Sequence, residues 1–448
     1  MDSLRDRIRQ QFDFGPYPRI PLDTDPQQDG ALMLRHSWLT PHYLHYGRIP
    51  NPGNATILDA GCGTGYRTLA LALANPGARI VGVDLSAQSI DLAQIRLAHH
   101  GRADVTVQVL DIRDLPSLGL QFDYINCDDT LYLFDDPAVG LQQLKAVLKP
   151  GGILRANLHS AYQREAVYRG QALFRQLGLF DQNPEAQAVE TVQAFMGQLK
   201  GWVNLKRQTW KPPFAQADAT EDILMNYLFM GDRGYTVPQL FAALEIAGLE
   251  FITMVNWQQW RLSDLFDAPQ SLPEPLAQQL NALPRSQRLH LFELLHPIHR
   301  LLDFWCVAPP ASPPAPAVAD WDAQTWAKQW ATVTVHLQPQ LCTATFRQAC
   351  LNSWRSQKPL ALNAFLDPGL NAPVVIDSRA AVVLMALVDT SPQPLLSLIK
   401  RSLELFPRDP NTLDPVSPEM ALAELKHLLI YLEQFLYVLL DRSEPGNR

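Results

Sequence analysis

The chain is poor in cysteine and in long apolar runs, and each shortage excludes a class of protein. Its five cysteines are scattered along 448 residues without a Cys-x-x-Cys pair, so we predict neither a disulfide scaffold nor a zinc ribbon. No run reaches the roughly 18 apolar residues of a membrane-spanning helix, and the polar first residues lack the apolar segment of a signal peptide. We therefore expect a cytoplasmic protein with no membrane partner.

Positive charge is also scarce. The chain has 37 Lys and Arg against 45 Asp and Glu, a formal net charge of -8. A protein that holds nucleic acid mainly through its phosphates needs a basic face, so no nucleic-acid partner is expected. Hydrophobic residues make up 47% of the chain, which is enough for a sizeable core, and the length predicts two or three domains.

Proline is concentrated in one stretch, and this stretch predicts a domain boundary. Five prolines lie among the nine residues 309–317, a density that neither a helix nor a central strand tolerates. We place a Pro/Ala-rich linker at 310–320 and a mainly α-helical C-terminal module at 321–448. The helices predicted in that module lie at 321–337, 340–354, 394–406 and 418–440.

Between residues 51 and 309, short apolar segments alternate with helical patterns. Such alternation predicts an α/β fold, a largely parallel sheet with helices on both faces. Two helical insertions, at 160–235 and 257–300, interrupt the pattern. The predicted strands are 57–60, 80–84, 105–110, 122–127, 153–158, 248–255 and 302–307.

The clearest chemical signal is a glycine-rich turn, Asp59-Ala60-Gly61-Cys62-Gly63-Thr64-Gly65, between the first strand and its helix. Glycines there allow a tight turn and let backbone N–H groups approach a ligand. Asp84 ends the second strand about twenty residues on, the spacing at which a carboxylate reaches a ribose hydroxyl. A dinucleotide dehydrogenase would need a third glycine where this chain has Tyr66. A purely structural strand–helix turn is the other alternative.

These residues resemble the class I S-adenosylmethionine-dependent methyltransferase family, whose glycine motif has the form Asp-x-Gly-x-Gly-x-Gly. The resemblance covers residues 57–158 and extends more loosely to 309. Leu148-Lys149-Pro150-Gly151-Gly152 matches the family's turn before the fifth strand. The resemblance implies a seven-stranded Rossmann-like sheet and S-adenosylmethionine as the cofactor.

The resemblance also implies where the cofactor is held. The glycine turn would surround its methionine part, Asp84 would hold both ribose hydroxyls, and Asp111 after the third strand would lie beside the adenine amino group. A segment at 1–50 would close on the site. The implied cofactor-binding residues are Asp59, Gly61, Cys62, Gly63, Gly65, Asp84, Leu85, Asp111, Ile112 and Asp128.

The sequence singles out no catalytic base, since methyl transfer from a sulfonium mainly requires that the two reactants be oriented. Asp128, at the end of the fourth strand, is one candidate for an acceptor or cofactor contact, or it caps the following turn. His159, just after the fifth strand, is either a general base or a hydrogen-bonded structural histidine. His36 is a third candidate, because it lies in the segment expected to close on the site.

A metal site is not expected. His290, Glu293, His296 and His299 recur every three residues, but Pro297 interrupts the helix and no cysteine accompanies them. A solvated or hydrogen-bonded cluster explains the pattern.

The methyl acceptor is predicted to be a small molecule. Segment 231–240, together with the C-terminal module, resembles bacterial methyltransferases that carry a regulatory region after the catalytic domain, some of which act on protein lysines. One alternative is therefore a protein methyltransferase that recruits its substrate through that module. A second is a regulatory protein that binds S-adenosylmethionine without turnover. The sequence leaves the oligomeric state open.

Overall fold

A computed structural model of the chain describes residues 3–309, 316–370, 372–409 and 412–442. It divides into two compact units, one built from 1–26 and 52–311 and the other from 27–51 and 312–448. Each unit has its own hydrophobic core.

The domain boundaries differ from those expected at 50 and 320. Residues 27–51 belong to the second unit, because Leu34 packs into that unit's core and the Tyr43 hydroxyl accepts a hydrogen bond of 2.9 Å from the Leu440 N–H. Val318, placed in the linker by the sequence, is also buried in that core. Residues 310–315 of the predicted linker lie outside the described residues.

The helices are numbered in chain order through both units. They are α1 (Leu4–Phe14), α2 (Gly30–His36), α3 (Leu39–Tyr46), α4 (Tyr66–Ala74), α5 (Ala87–His99), α6 (Pro137–Ala146), α7 (Glu165–Gln176), α8 (Ala186–Gln198), α9 (Asn204–Thr209), α10 (Thr220–Asn226), α11 (Val237–Ala247), α12 (Glu274–Ala282), α13 (Arg285–Leu295), α14 (Ala323–Gln329), α15 (Ala344–Ser356), α16 (Ser378–Asp389), α17 (Leu395–Leu405) and α18 (Pro418–Glu433).

The strands are numbered in the same way. They are β1 (Thr56–Ala60), β2 (Arg79–Asp84), β3 (Thr106–Val109), β4 (Phe122–Cys127), β5 (Leu148–Ser160), β6 (Gly234–Tyr235), β7 (Glu250–Met254), β8 (Leu301–Val307), β9 (Val333–Leu337), β10 (Leu360–Ala361), β11 (Val375–Ile376), β12 (Gln393–Pro394) and β13 (Val438–Arg442).

The first unit is built on one sheet with the strand order β3-β2-β1-β4-β5-β8-β7, which confirms the seven-stranded Rossmann-like prediction. The strands from β1 to β5 run parallel, and β8 is antiparallel to both β5 and β7. The two-residue strand β6, which the sequence did not predict, adds to β5. Because parallel strands share one carboxyl edge, the residues that follow β1, β2, β3 and β4 meet at the same place.

The first insertion contains α7 to α10 and has a small core of its own. Phe174, Val192, Met196 and Tyr227 are buried in that core, and Ile8 of α1 packs among them. The second insertion contains 3₁₀ turns at Trp257–Trp260 and Leu262–Leu265, followed by α12 and α13.

The second unit is mainly helical, as predicted, but it also contains a three-stranded sheet of order β12-β9-β13. The predicted helix at 321–337 is therefore wrong beyond α14, and the one at 418–440 is wrong beyond α18. In β9 buried residues alternate with half-buried ones, a period of two that marks a strand. Among the described helices, none has both the length and the apolar character needed to cross a membrane.

Candidate active site

A cavity of about 240 Å³ lies at the carboxyl ends of β1, β2 and β4. Its walls come from the glycine turn, from the residues after β2 and β3, and from α1 and the segment that follows it. The structure brings most of the predicted cofactor residues to this wall, while Asp59 and Gly65 shape the turn behind it. The predicted residues that line the cavity are Gly61, Cys62, Gly63, Asp84, Leu85, Asp111, Ile112 and Asp128.

The glycine turn requires a backbone that other residues rarely adopt. Gly63 has a φ of 50°, in the left-handed region that favours glycine. A Cβ added to Gly63 would overlap the carbonyl oxygen of Tyr17. The turn is tied to the neighbouring strand, because the N–H groups of Gly61 and Cys62 both donate to the Val83 carbonyl, at 2.8 and 2.9 Å.

Asp59 is buried beneath this turn and does not line the cavity. Its carboxylate accepts hydrogen bonds from the Thr68 hydroxyl at 2.7 Å and from the Asn126 amide at 2.8 Å. Burial raises the pKa of Asp59 to about 6. The side chain joins β1 to α4 and β4, so it holds the turn in place.

Asp84 presents its carboxylate at the cavity wall. It accepts the N–H groups of Gly63 and Ser86, each at 2.9 Å, and burial raises its pKa. A carboxylate offers about four acceptor positions, so these two bonds leave acceptor capacity for a ligand.

Asp111 caps the 3₁₀ turn Ile112–Leu118, where it accepts the Arg113 N–H at 2.8 Å. Its carboxylate also forms ion pairs with the side chains of Arg113 and of Arg5 from α1. Asp111 thus joins the cavity wall to the helix that covers it. The sequence indicated the acid, but nothing in it indicated these cationic partners.

Helix α1 covers the cavity with Leu4, Ile8 and Phe12. It is fixed by the buried side chain of Gln11, which donates to the Leu228 carbonyl at 2.8 Å and accepts the Met230 N–H at 2.9 Å. Gln11 therefore links α1, which covers the cavity, to the backbone at the end of the first insertion.

The segment that follows α1 is tied to the glycine turn. The hydroxyl of Thr64 donates to the Pro18 carbonyl at 2.6 Å. The guanidinium of Arg96 donates to the carbonyls of Ile20, Pro21 and Thr64, at 2.6, 2.9 and 3.1 Å. One arginine of α5 therefore holds the turn and the N-terminal segment together.

At the end of β4, two acids are balanced by arginines. Arg67 contacts Asp128 at 2.7 Å and Asp129 at 3.0 Å, and Arg300 contacts Asp129 at 3.1 Å. Burial alone would raise the pKa of Asp129, but the charges of Arg300 and Arg67 lower it. Asp128 also accepts the amide of Asn157, so its oxygens are engaged with protein groups.

His159 is buried and stacks on Tyr132 at 3.8 Å between ring centroids. Its Nδ1 lies 2.6 Å from Asp232 and its Nε2 lies 2.9 Å from the guanidinium of Arg300. Burial lowers the pKa of His159 to about 4, so the ring is neutral, with Nδ1 donating and Nε2 accepting. Because both nitrogens are engaged, this geometry favours the structural alternative over a general base.

The neutral state of His159 predicts a pH dependence of stability. The pKa falls from 6.5 to about 4 on folding, so this contribution is complete above pH 6.5 and is lost as the pH falls towards 4. At about 1.4 kcal/mol per pH unit, lowering the pH from 7 to 5 should cost about 2 kcal/mol. We expect urea unfolding to show that the wild type loses about 2 kcal/mol more than His159→Gln over this pH range.

Burial also lowers the pKa of His42 to about 4 and raises that of Asp59 to about 6, but both residues are present in both proteins and cancel in that comparison. An equal decline in both proteins would contradict the assigned neutral histidine.

His36, the third candidate, lies in α2 of the second unit. It is buried, and its Nδ1 bonds to the Leu32 carbonyl at 2.8 Å. It is not among the described residues that line the cavity. His290 pairs with Glu293 at 2.8 Å, and the described residues include no group of three or more His, Cys, Asp or Glu that could hold a metal ion.

Comparisons with known proteins bear on this cavity. Residues 52–218 match the model of a methyltransferase domain. An uncharacterised protein of Synechococcus sp. is 29% identical over 297 residues, which is 66% of this chain and 70% of that protein. A magnesium-protoporphyrin O-methyltransferase of Rhodobacter capsulatus is 45% identical over 142 residues, 31% of this chain and 62% of the relative. The chain thus spans less than two thirds of that named relative.

Among solved structures, PKMT2 from Rickettsia typhi in complex with AdoHcy has a similar fold. The TM-score is 0.56, with 17% sequence identity over 96% of this chain and 78% of that one. At this identity the likeness concerns the fold.

Proposed function

We propose that this chain, whose residues 52–218 match the model of a methyltransferase domain, is a class I S-adenosylmethionine-dependent methyltransferase that transfers the methyl group of its cofactor to a small molecule. The observation that carries the proposal is the cavity itself. The glycine turn, two carboxylates at successive strand ends and apolar side chains meet there under α1.

The residues of the cavity fit S-adenosylmethionine. Leu85 and Ile112 offer apolar surface for an adenine ring, and the acceptor capacity of Asp84 suits the two ribose hydroxyls. The carboxylate of Asp111 would accept a hydrogen bond from the adenine amino group while it keeps its ion pair with Arg5. Gly61 and Gly63 line the cavity without side chains, which leaves room for the methionine part.

The bound cofactor would supply an electrophilic methyl group, and the chain's own residues would orient the acceptor. Arg67 holds Asp128 and Asp129 at one wall of the cavity, where their charges are balanced. Burial raises the pKa of Tyr17 in the same wall to about 12, so its phenol keeps its proton at neutral pH. These groups can position an acceptor and exclude water.

No strong base is expected to assist the transfer. His159 is neutral but enclosed, and the carboxylate of Asp129 has a lowered pKa and is bound by arginines. The site therefore suits an acceptor that is nucleophilic without help, such as a readily ionised hydroxyl group or an amine. The Rhodobacter relative is named for a small-molecule O-methylation, which agrees with this class.

The cofactor assignment is tested by calorimetry with S-adenosylmethionine on the wild type and on Asp84→Ala. Removing a carboxylate that makes charge-assisted hydrogen bonds should cost on the order of 2 kcal/mol, about thirtyfold in affinity. Asp104→Ala is the control, because Asp104 belongs to an exposed ion pair with Arg102. Equal affinity in all three proteins would place the cofactor elsewhere.

A protein acceptor is the second candidate, favoured by the separate core of the second unit. Deleting everything after residue 317 would not test it cleanly, because residues 27–51 would lose the core into which they pack. We would instead offer labelled S-adenosylmethionine with either the low-molecular-weight or the protein fraction of a cell extract. Label entering only the protein fraction would overturn the small-molecule proposal.

A further inference from the structure

A second and larger cavity, of about 490 Å³, lies at the far edge of the same sheet. Its floor is β7, the end strand of the sheet, and its walls are the 3₁₀ turns at 257–265 with α12 and α13. Of the described residues, none lines both cavities. The methyltransferase reaction proposed above leaves this space without a role.

The interior of this second cavity is largely aromatic and aliphatic. Phe251 and Met254 face it from β7, and Trp257, Trp260 and Phe266 face it from the turns. A volume of this size, lined in this way, is typical of a site for a small organic ligand.

Helix α12 lacks the packing that usually stabilises a helix. It has nine residues, and none of them is buried in the described chain. Leu276 is 42% exposed, while Ala277 and Leu280 line the cavity. A short isolated helix is marginal in water, and most helices gain their stability by packing an apolar face. A ligand in the cavity would cover this face of α12.

The charged side chains that line the cavity are cationic. Arg261, Arg285 and Arg288 line the cavity, and among the described residues no Asp or Glu does. Arg285 donates to a backbone carbonyl of β7, and Arg261 makes a 3.4 Å hydrogen bond to the Gln258 side chain and a 3.8 Å ion pair with Asp264. Within the described ranges of the chain, the side chain of Arg288 makes no hydrogen bond or ion pair. The cavity thus offers guanidinium groups that an anion could pair with.

We propose that this cavity binds an amphipathic anion, with an apolar chain or ring between the aromatic side chains and a carboxylate against Arg288 and Arg261. Guanidinium groups suit carboxylates because their N–H groups match the two oxygens. The apolar body would supply the surface that α12 lacks.

The test is calorimetry on the full chain with decanoate, decan-1-ol and decyltrimethylammonium, all below their micelle-forming concentrations. We expect one decanoate site, with weaker binding of the alcohol and no binding of the cation. Arg288→Gln should lower decanoate affinity about tenfold or more, and Ala277→Phe should block the cavity. Arg355→Gln, at an exposed position of the second unit, is the control and should bind like the wild type.

Hydrogen exchange then locates the ligand. Decanoate should slow amide exchange across residues 274–289 and leave the glycine turn at 61–65 unchanged. Absence of decanoate binding, equal binding of all three probes, undiminished binding by Arg288→Gln, or protection confined to the glycine turn would each overturn the proposal. None of these outcomes depends on the methyl acceptor.

Discussion

Asp232→Ala is expected to lower the free energy of unfolding by about 3–5 kcal/mol, the usual cost of removing one partner from a buried ion pair. The Asp232 side chain is fully buried and accepts hydrogen bonds from His159, Arg164 and Gln171. Burial would raise its pKa, but the bond to His159 and the charge of Arg164 lower it to about 2. Without this carboxylate, the buried guanidinium of Arg164 loses its ion-pair partner.

The measurement is urea unfolding at pH 7, followed by tryptophan fluorescence. Asp135→Ala is a matched control. The ion pair of Asp135 with Arg233 is 2.9 Å long, as is that of Asp232 with Arg164, but the Asp135 side chain is 74% exposed. Exposed pairs contribute about 0–1 kcal/mol. If both substitutions cost the same, Asp232 does not organise a buried network.

Gly65→Ala is the other substitution with a large expected effect, about 2–5 kcal/mol. Gly65 has a φ of 80°, a left-handed conformation that costs other residues about 1–2 kcal/mol. Its Cβ would also lie 2.8 Å from the Ala93 Cα, and overpacking a close contact costs about 1–3 kcal/mol more. Since α4 and α5 would have to separate, we also expect weaker binding of S-adenosylmethionine.

Gly101→Ala separates the two contributions. Gly101 has a φ of 68°, and a Cβ there would meet nothing within 4 Å, so only the conformational cost of about 1–2 kcal/mol remains. Chemical unfolding and cofactor calorimetry on both variants make the comparison. Equal losses would mean that the approach of Gly65 to Ala93 does not constrain the turn.

Local patterns in the sequence predicted the sheet and the glycine turn. Apolar strands and turn glycines have their cause within a few residues of the chain, and the spacing from the glycine turn indicated Asp84. The family resemblance, and not a local pattern, indicated Asp111. The same reasoning failed for β9 and β13, because each has only five residues beside a helix, too few to separate period two from period 3.6.

Contacts between distant residues could not be predicted. Gln11 bonds to a carbonyl 217 residues away, and Arg300 reaches Asp129 across 171 residues. No sequence pattern near Gln11 or Arg300 predicts these contacts. The sequence therefore indicated the acids of the candidate site but not the arginines that balance them, and it missed the assignment of residues 27–51 to the second unit.

The attachment of α1 has a consequence for the timing of turnover. For α1 to move away from a bound cofactor, Gln11 must release the backbone at 228 and 230. Rearrangements of that size take microseconds to milliseconds and often limit product release. Ile8 of α1 packs in the core of the first insertion. Moving α1 to release the demethylated cofactor would therefore also disturb the helices of that insertion. We therefore expect the exchange of the cofactor, and not the methyl transfer, to be the rate-limiting step of turnover.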